Sequence, residues 1–270
     1  MSVAFGLHPE AFGTEQITYY TQHLADEAEA ADLSSPVVTC GDWTLADLIW
    51  HLTEVQDFWA WIIEHRPAGP EEYARPDRPA DPELVAGLRE RNRRLVAKLL
   101  EASPDEAAWT WHPVWQTVNF THRRQSHEAM IHCFDGFLAI GAERPEVSGR
   151  LAADGFDELV TVVAGGVPEW ARYASSGLSL AVNATDTGDS WLLEIGSISG
   201  RSPGGTVYED LATIKDLDSD GDASIETQVT GTALDIDLWA WGRGSADRLT
   251  VAGAEEPVRR LRALVVESTQ

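Results

Sequence analysis

The first half of the chain repeats apolar residues every three or four positions, which is the spacing of amphipathic helices. Four such stretches are separated by turns and by a longer connection, rich in Pro, Gly and Arg, at residues 66–80. The pattern predicts helices at about residues 14–32, 42–65, 81–102 and 119–140. Four amphipathic helices with a long central connection are typical of a four-helix bundle, which we expect over residues 1–145.

Beyond residue 145 the pattern changes to the two-residue alternation of half-buried strands. Two alternating stretches, at residues 177–183 and 190–195, flank the turn sequence TDTGD and predict a β-hairpin. The pattern also predicts strands at 223–230 and 248–251, and helices at 153–164, 232–240 and 255–266. We therefore expect residues 150–270 to form a smaller α+β domain.

The balance of charge narrows the range of partners. Of 270 residues, 20 are Lys or Arg and 44 are Asp or Glu, so the formal net charge is −24. Nucleic-acid phosphates and anionic membrane surfaces both attract basic faces, so we expect neither partner. No apolar run approaches the ~20 residues of a membrane span. The first residues lack the pattern of a signal peptide and only two cysteines occur, which together indicate a cytoplasmic location.

The sharpest chemical pattern is HEAMIH at residues 127–132 of the predicted fourth helix. Glu128 and His132 are four residues apart, so they lie one turn apart on one helix face. His51 interrupts an apolar run in the predicted second helix and is the best candidate for a third ligand. Two imidazoles and one carboxylate suit Zn²⁺ with an open coordination position, or Fe²⁺.

Structural interpretations of the same residues remain open at this point. An isolated histidine such as His51 is usually a hydrogen-bonded core residue. Asp135, seven residues after Glu128, is either an acceptor for a ligand histidine or a polar residue near a helix end. Arg123 and Arg124 open the fourth helix, where they either offset surface acid or hold an anionic substrate; we predict that they are cofactor-binding residues.

Four segments resemble a known family. VTCGDWTLADLIWHL at residues 38–52 and RRQSHEAMIHCFD at 123–135 resemble the second and fourth helices of mycothiol-dependent maleylpyruvate isomerases, which belong to the DinB-like metal-binding bundles. LAADGFDEL at 151–159 and TGTALDIDLWAWGR at 230–243 are similar to the sterol-carrier-like C-terminal domain of that family. The resemblance runs in order through nearly the whole chain.

The resemblance implies the same three ligands, His51, Glu128 and His132, with Zn²⁺ as the typical metal and mycothiol as the thiol cosubstrate. It also implies an arginine of the C-terminal domain facing the site, for which we predict Arg243 as a catalytic residue. The chain departs from the family at Cys133, where an arginine is frequent, and at CGD in place of CPG before the tryptophan of the second helix.

The implied reaction begins when a mycothiol thiolate adds to the double bond of maleylpyruvate. Rotation and elimination then release fumarylpyruvate. In an S-transferase of biosynthesis or detoxification the sulfur stays on the product, and the ligands are the same. The same ligands also fit a non-catalytic metal-binding module and a thiol-independent metal hydrolase or oxygenase. We expect a small anionic or electrophilic substrate and a monomer or weak dimer.

Overall fold

The computed structural model of the protein describes residues 6–217, 225 and 227–269. The first five residues lie outside the described part of the chain. The prediction that the chain lacks a signal peptide partly depends on them. The chain divides into two compact units. The first contains residues 9–146, and the second contains residues 147–270 together with residues 6–8.

The first unit is helical. Its four α-helices are α1 (Thr14–Ala28), α2 (Leu45–His65), α3 (Asp81–Leu100) and α4 (Val118–Ile140). A single 3₁₀ turn at Pro70–Glu72 lies in the connection between α2 and α3. Helices α1 and α2 each pack against both α3 and α4. This arrangement places α2 beside α4, the two helices that carry the predicted ligands.

Local sequence explains where α2 and α4 begin and end. At the start of α2, Thr44 and Asp47 form a capping box in which each side chain accepts from the backbone N–H of the other. At the end of α4, Gly141 adopts a φ of 69°, a left-handed conformation that glycine tolerates and that terminates a helix. Helix α4 is buried on most of its surface, including several of its charged residues.

The second unit combines a five-stranded sheet with three α-helices. The helices are α5 (Gly149–Glu158), which continues into a π-helical turn at Leu159–Val163, α6 (Ala233–Ala240) and α7 (Glu255–Ser268). The strands are β1 (Ala171–Ala184), β2 (Ser190–Arg201), β3 (Val207–Asp216), β4 (Gln228–Gly231) and β5 (Thr250–Ala252). A 3₁₀ turn at Ala246–Arg248 precedes β5.

The sheet order is β3-β2-β1-β4-β5. Strands β1 and β4 are parallel, and the other neighbouring pairs are antiparallel. Along β2, Trp191, Leu193 and Ile195 alternate into the core, where they pack with residues of α5, α6 and α7. The predicted fold class, a helical bundle followed by an α+β part, is confirmed.

The structure of the second half differs from the prediction, most clearly in the sheet. Strand β3 was absent from the prediction. The strand predicted at residues 223–230 appears as the shorter β4, and residues 223, 224 and 226 of that prediction lie outside the described residues. Among the residues that the structure describes, no helix combines the length and apolar character needed to cross a bilayer.

Candidate metal centre

The three predicted ligands come together between α2 and α4. His51 Nε2 lies 3.1 Å from Glu128 Oε1, and His132 Nε2 lies 3.3 Å from the same oxygen. The two imidazole rings are nearly perpendicular, with centroids 4.9 Å apart. All three potential ligand atoms lie within 4.8 Å of one another. Two imidazole nitrogens and one carboxylate oxygen therefore converge on a common point.

The second oxygen of Glu128 is directed elsewhere. Arg124, one turn earlier on α4, donates from Nη2 to Glu128 Oε2 across 3.1 Å. Both side chains are largely buried, so this ion pair is screened less than a surface pair. Because Arg124 occupies Oε2, Glu128 presents Oε1 alone to the two histidines.

The other nitrogen of His132 contacts a buried carboxylate. His132 Nδ1 lies 3.0 Å from Oδ2 of Asp135, which has no exposed surface. Asp135 also accepts a hydrogen bond from Thr39 Oγ1 at 2.6 Å and one from the Cys40 thiol at 3.4 Å. Thus the loop before α2 contacts α4 through Asp135, directly behind His132.

Glu128 and His132 each stabilise the charged form of the other. Burial alone would raise the pKa of Glu128, but His132, His51 and Arg124 hold that pKa well below its usual value. Burial alone would lower the pKa of His132, but Glu128 and Asp135 raise it well above its usual value. The same groups that raise the pKa of His132 also favour positive charge beside Glu128.

An aromatic side chain covers part of the centre. The Trp43 ring centroid lies 4.9 Å from that of His51 and 6.5 Å from that of His132. Trp43 directly precedes the Thr44 cap of α2, so the capping box fixes its position relative to His51. An apolar ring at this distance reduces the access of water to the histidines.

The donor set fits a divalent transition metal. Imidazole nitrogens and a carboxylate are the ligands of catalytic Zn²⁺ sites, in which three protein ligands leave a position open. Cys40, His132 and Asp135 form a second group with ligand-type atoms close together. In that group both oxygens of Asp135 already accept hydrogen bonds from Thr39 and Cys40, whereas in the group of His51, Glu128 and His132 two ring nitrogens face one carboxylate oxygen.

The predicted arginines lie in three different environments. Arg124 contacts a ligand, as described above. Arg123 is buried, with 2% of its surface exposed. Arg243 follows α6 in the second unit, donates from Nη1 to the carbonyl of Trp241 at 2.6 Å, and lies with its guanidinium 5.5 Å from that ring. Their predicted roles toward cosubstrate and substrate stay predictions.

Sequence reasoning missed Thr39, Cys40 and Trp43 as neighbours of the centre. Nothing in the spacing of Thr39 and Cys40 marks them, because their contact with Asp135 joins residues almost 100 positions apart. The pairing of Arg124 with Glu128 did carry a signal, since opposite charges at positions i and i+4 of a helix commonly pair.

Two family models match the chain. The mycothiol maleylpyruvate isomerase N-terminal domain matches residues 15–135, and the C-terminal domain of the same family matches residues 150–260. The chain belongs to the mycothiol maleylpyruvate isomerase family. This membership confirms the predicted resemblance, and with it the prediction that the chain is an enzyme.

Solved structures of the mycothiol maleylpyruvate isomerase family share the fold. The crystal structure of a mycothiol-dependent maleylpyruvate isomerase is 17% identical in sequence and superimposes with a TM-score of 0.51. A mutant form of that enzyme, also 17% identical, gives a TM-score of 0.52. Each match covers 88% of this chain and 90% of the other. No individually curated protein sequence matches this family member.

Proposed function

We propose that the protein is a zinc-dependent enzyme that uses mycothiol to isomerise the double bond of a small anionic substrate of the maleylpyruvate type. The observation that carries this proposal is the convergence of His51 Nε2, Glu128 Oε1 and His132 Nε2 in a chain of this family. The two related crystal structures are described as mycothiol-dependent maleylpyruvate isomerases, which supports the same assignment.

The residues of the centre have distinct tasks in this proposal. His51, Glu128 and His132 hold the metal, and Arg124 keeps the second oxygen of Glu128 occupied. A bound Zn²⁺ supplies positive charge that lowers the pKa of a nearby thiol, so that a thiolate exists at neutral pH. Trp43 packs beside the ring of His51, with the ring centroids 4.9 Å apart.

The proposed reaction conserves the substrate's atoms. The mycothiol thiolate forms a C–S bond to one alkene carbon, and the electron pair of the double bond moves onto the conjugated carbonyl as an enolate. The former double bond is now single and rotates. The enolate then re-forms the double bond in the trans geometry and expels the thiolate, so no oxidant or proton is consumed.

Arginines would handle the negative charge of the substrate and cosubstrate. A guanidinium binds a carboxylate through two parallel hydrogen bonds, which suits a dicarboxylate of the maleylpyruvate type. We propose Arg243 as the substrate contact and Arg123 and Arg124 as residues on the thiol side. For Arg124 this role would add to its contact with Glu128, because a guanidinium has five N–H donors.

The test is the conversion of maleylpyruvate to fumarylpyruvate by the zinc-loaded full chain, with and without mycothiol. We expect turnover only when both zinc and mycothiol are present. His51→Ala, Glu128→Ala and His132→Ala should each lose bound zinc, measured by elemental analysis, and activity. His65→Ala is the matched control, because His65 is an exposed histidine of α2, the helix that carries His51.

Other outcomes identify other functions. A stable adduct that retains the mycothiol sulfur would replace the isomerase with an S-transferase. Activity without thiol would indicate a metal hydrolase or oxygenase, and bound zinc without any turnover or thiol binding would indicate a non-catalytic module. Retention of zinc by all three alanine variants would overturn the metal centre itself.

The remaining predictions belong to the same proposal. We propose domain limits of 1–145 and 150–270, a cytoplasmic location, and a monomer or weak dimer in solution. Light scattering of the full chain tests the last point, because a strong dimer would give twice the monomer mass at every concentration used.

A further inference from the structure

Behind the proposed metal centre, Asp135 contacts His132, and this contact bears on which ring nitrogen of His132 carries a proton. Asp135 is fully buried, and three side chains approach its two oxygens: Thr39 approaches Oδ1, whereas Cys40 and His132 approach Oδ2. A hydroxyl and a thiol can donate to a carboxylate, and an ionised carboxylate can only accept. With Asp135 ionised, the contact of His132 Nδ1 with Oδ2 is a hydrogen bond only when Nδ1 carries a proton.

We propose that Asp135, oriented by Thr39, is a positioning residue that fixes the proton of His132 on Nδ1 and so keeps the lone pair of Nε2 directed toward Glu128 and His51. This inference rests on the proposed metal centre. It goes beyond that proposal because it assigns roles to Asp135 and Thr39, which are not among the three proposed metal ligands.

The distances support a fixed orientation. His132 Nδ1 lies 3.0 Å from Asp135 Oδ2, and Nε2 on the other side of the ring lies 3.3 Å from Glu128 Oε1. Thr39 holds the opposite oxygen of Asp135 at 2.6 Å, so the carboxylate cannot rotate without losing that hydrogen bond. A neutral imidazole has one donor and one acceptor nitrogen, and the partner of one nitrogen decides the state of the other.

The alternative role for this cluster is structural only, as a buried hydrogen-bond network that joins the loop before α2 to α4. Such a network would affect folding stability without changing the affinity of the site for zinc. The two roles are separable by replacing the carboxylate with an amide of the same size. In Asp135→Asn the amide oxygen can still accept from Thr39, which turns the NH₂ group toward His132 and favours the other tautomer.

The experiment measures zinc affinity and the His132 tautomer in the full chain. Competition with a chelator of known affinity should show zinc binding weakened about ten- to a hundredfold in Asp135→Asn, the usual effect of losing a partner of a ligand histidine. Long-range ¹H–¹⁵N spectra should place the proton on Nδ1 in the wild type and on Nε2 in Asp135→Asn. Asp135→Glu, which retains a carboxylate, should recover part of the affinity.

Asp57→Asn is the matched control. Asp57 is also a nearly buried carboxylate of the helical unit, but its partners are Tyr73, Arg91 and Arg94 rather than a histidine. We expect Asp57→Asn to lower stability without changing zinc affinity. If Asp135→Asn fails to fold, Thr39→Val provides the test, with an expected severalfold loss of zinc affinity.

Two outcomes would overturn the inference: wild-type zinc affinity in Asp135→Asn, or a proton on Nε2 of His132 in the wild type. Failure of the proposed metal centre gives a different result, because the wild type would then bind no zinc at all. The tautomer can still be read from the metal-free wild type at a pH where the imidazole is neutral, so the inference is tested in either case.

Discussion

Two polar clusters of the helical unit differ in how their atoms are paired. In the cluster between α2 and α4, His51 and His132 both direct Nε2 at one oxygen of Glu128. In the second cluster, Gln56 donates to the Thr21 hydroxyl at 2.8 Å and accepts from Asn92 at 3.3 Å. We call the first the histidine cluster and the second the amide cluster.

The difference teaches which buried polar residues indicate function. Amides and hydroxyls carry both donors and acceptors, so the residues of the amide cluster pair with one another, and Asn92 also donates to the carbonyl of Ile17 at 3.5 Å. In the histidine cluster, two ring nitrogens and a carboxylate oxygen face one point, and each of these atoms can bind a proton. The cluster therefore needs a proton or a cation at that point. Helix α2 serves both clusters, because His51 and Gln56 are five residues apart and so lie about 140° apart around the helix.

The largest expected effect is the stabilisation of the fold by zinc, which should depend on the histidine cluster. With free Zn²⁺ at a hundred times its dissociation constant, binding should stabilise the folded protein by about 2.7 kcal/mol. We expect a chelator to remove this stabilisation from the wild type in urea unfolding and to have no effect on His132→Ala. A zinc-dependent shift that persists in His132→Ala would place the metal elsewhere.

The next effect concerns the amide cluster. Gln56→Ala should lower the free energy of unfolding by about 1–3 kcal/mol, because Thr21 and Asn92 lose a buried partner. The zinc-dependent stabilisation should remain, since Gln56 directs no atom at the metal. Gln22→Ala, an exposed glutamine on α1, is the control and should change stability by less than about 0.5 kcal/mol. Loss of zinc binding in Gln56→Ala would mean that the clusters are coupled.

A smaller effect tests how the histidine cluster is oriented. Arg124→Gln removes the charge that holds Glu128 Oε2, so zinc affinity should fall about tenfold in chelator competition. Arg93→Gln, on the exposed side of α3, should leave zinc affinity unchanged. Equal affinities for Arg124→Gln and the wild type would show that Glu128 needs no support from Arg124.

The smallest expected effect involves the cap of the helix that both clusters share. Hydrogen bonds from the Thr44 backbone and from Arg78 and the Thr44 hydroxyl lower the pKa of Asp47 to about 2. Because this pKa is lowered on folding, the stabilisation is complete above the unfolded pKa of about 3.9 and is lost as the pH falls through about 2.

Asp47→Ala should therefore cost at most about 1 kcal/mol at pH 7, since the side chain is one-third exposed and solvent weakens its ion pair with Arg78. The difference between variant and wild type should shrink toward pH 3, measured by urea unfolding at both pH values. A difference that grows with acid would contradict the sign derived from the pKa.

Most of the helices could be predicted because their periodicity reflects burial on one face. The first helix ends earlier than predicted, at Ala28 instead of residue 32. Asp32 explains part of this, because its side chain accepts from the backbone N–H and the hydroxyl of Ser34 and so favours a turn over a further helical turn. Apolar spacing alone does not show this competition.

Strand β3 could not be predicted because its sequence does not alternate. It lies at an edge of the sheet, where only Thr213 and Ile214 are buried. Its pairing with β2 shifts register between Ile198 and Gly200, and Asp210 on β3 has a φ of 49°. A bulge of this kind moves the following side chains to the other face and breaks the two-residue pattern.

The candidate site likewise contains residues that could be predicted from the sequence and residues that could not. Glu128 and His132 could be predicted because helical spacing fixes their common face, and His51 because an imidazole in an apolar run calls for a partner. Thr39 and Cys40 could not, because they belong to a loop whose contact with Asp135 exists only once α2 and α4 are packed.

The short segment at residues 6–8 makes the second unit discontinuous in sequence. The His8 backbone N–H donates to Asp154 at 2.9 Å, and its imidazole Nε2 lies 2.8 Å from Asp189. During synthesis this segment emerges more than 140 residues before its partners. A fragment that starts at residue 147 would lack these contacts, so a dissection of the two units should add residues 6–8 back as a separate peptide.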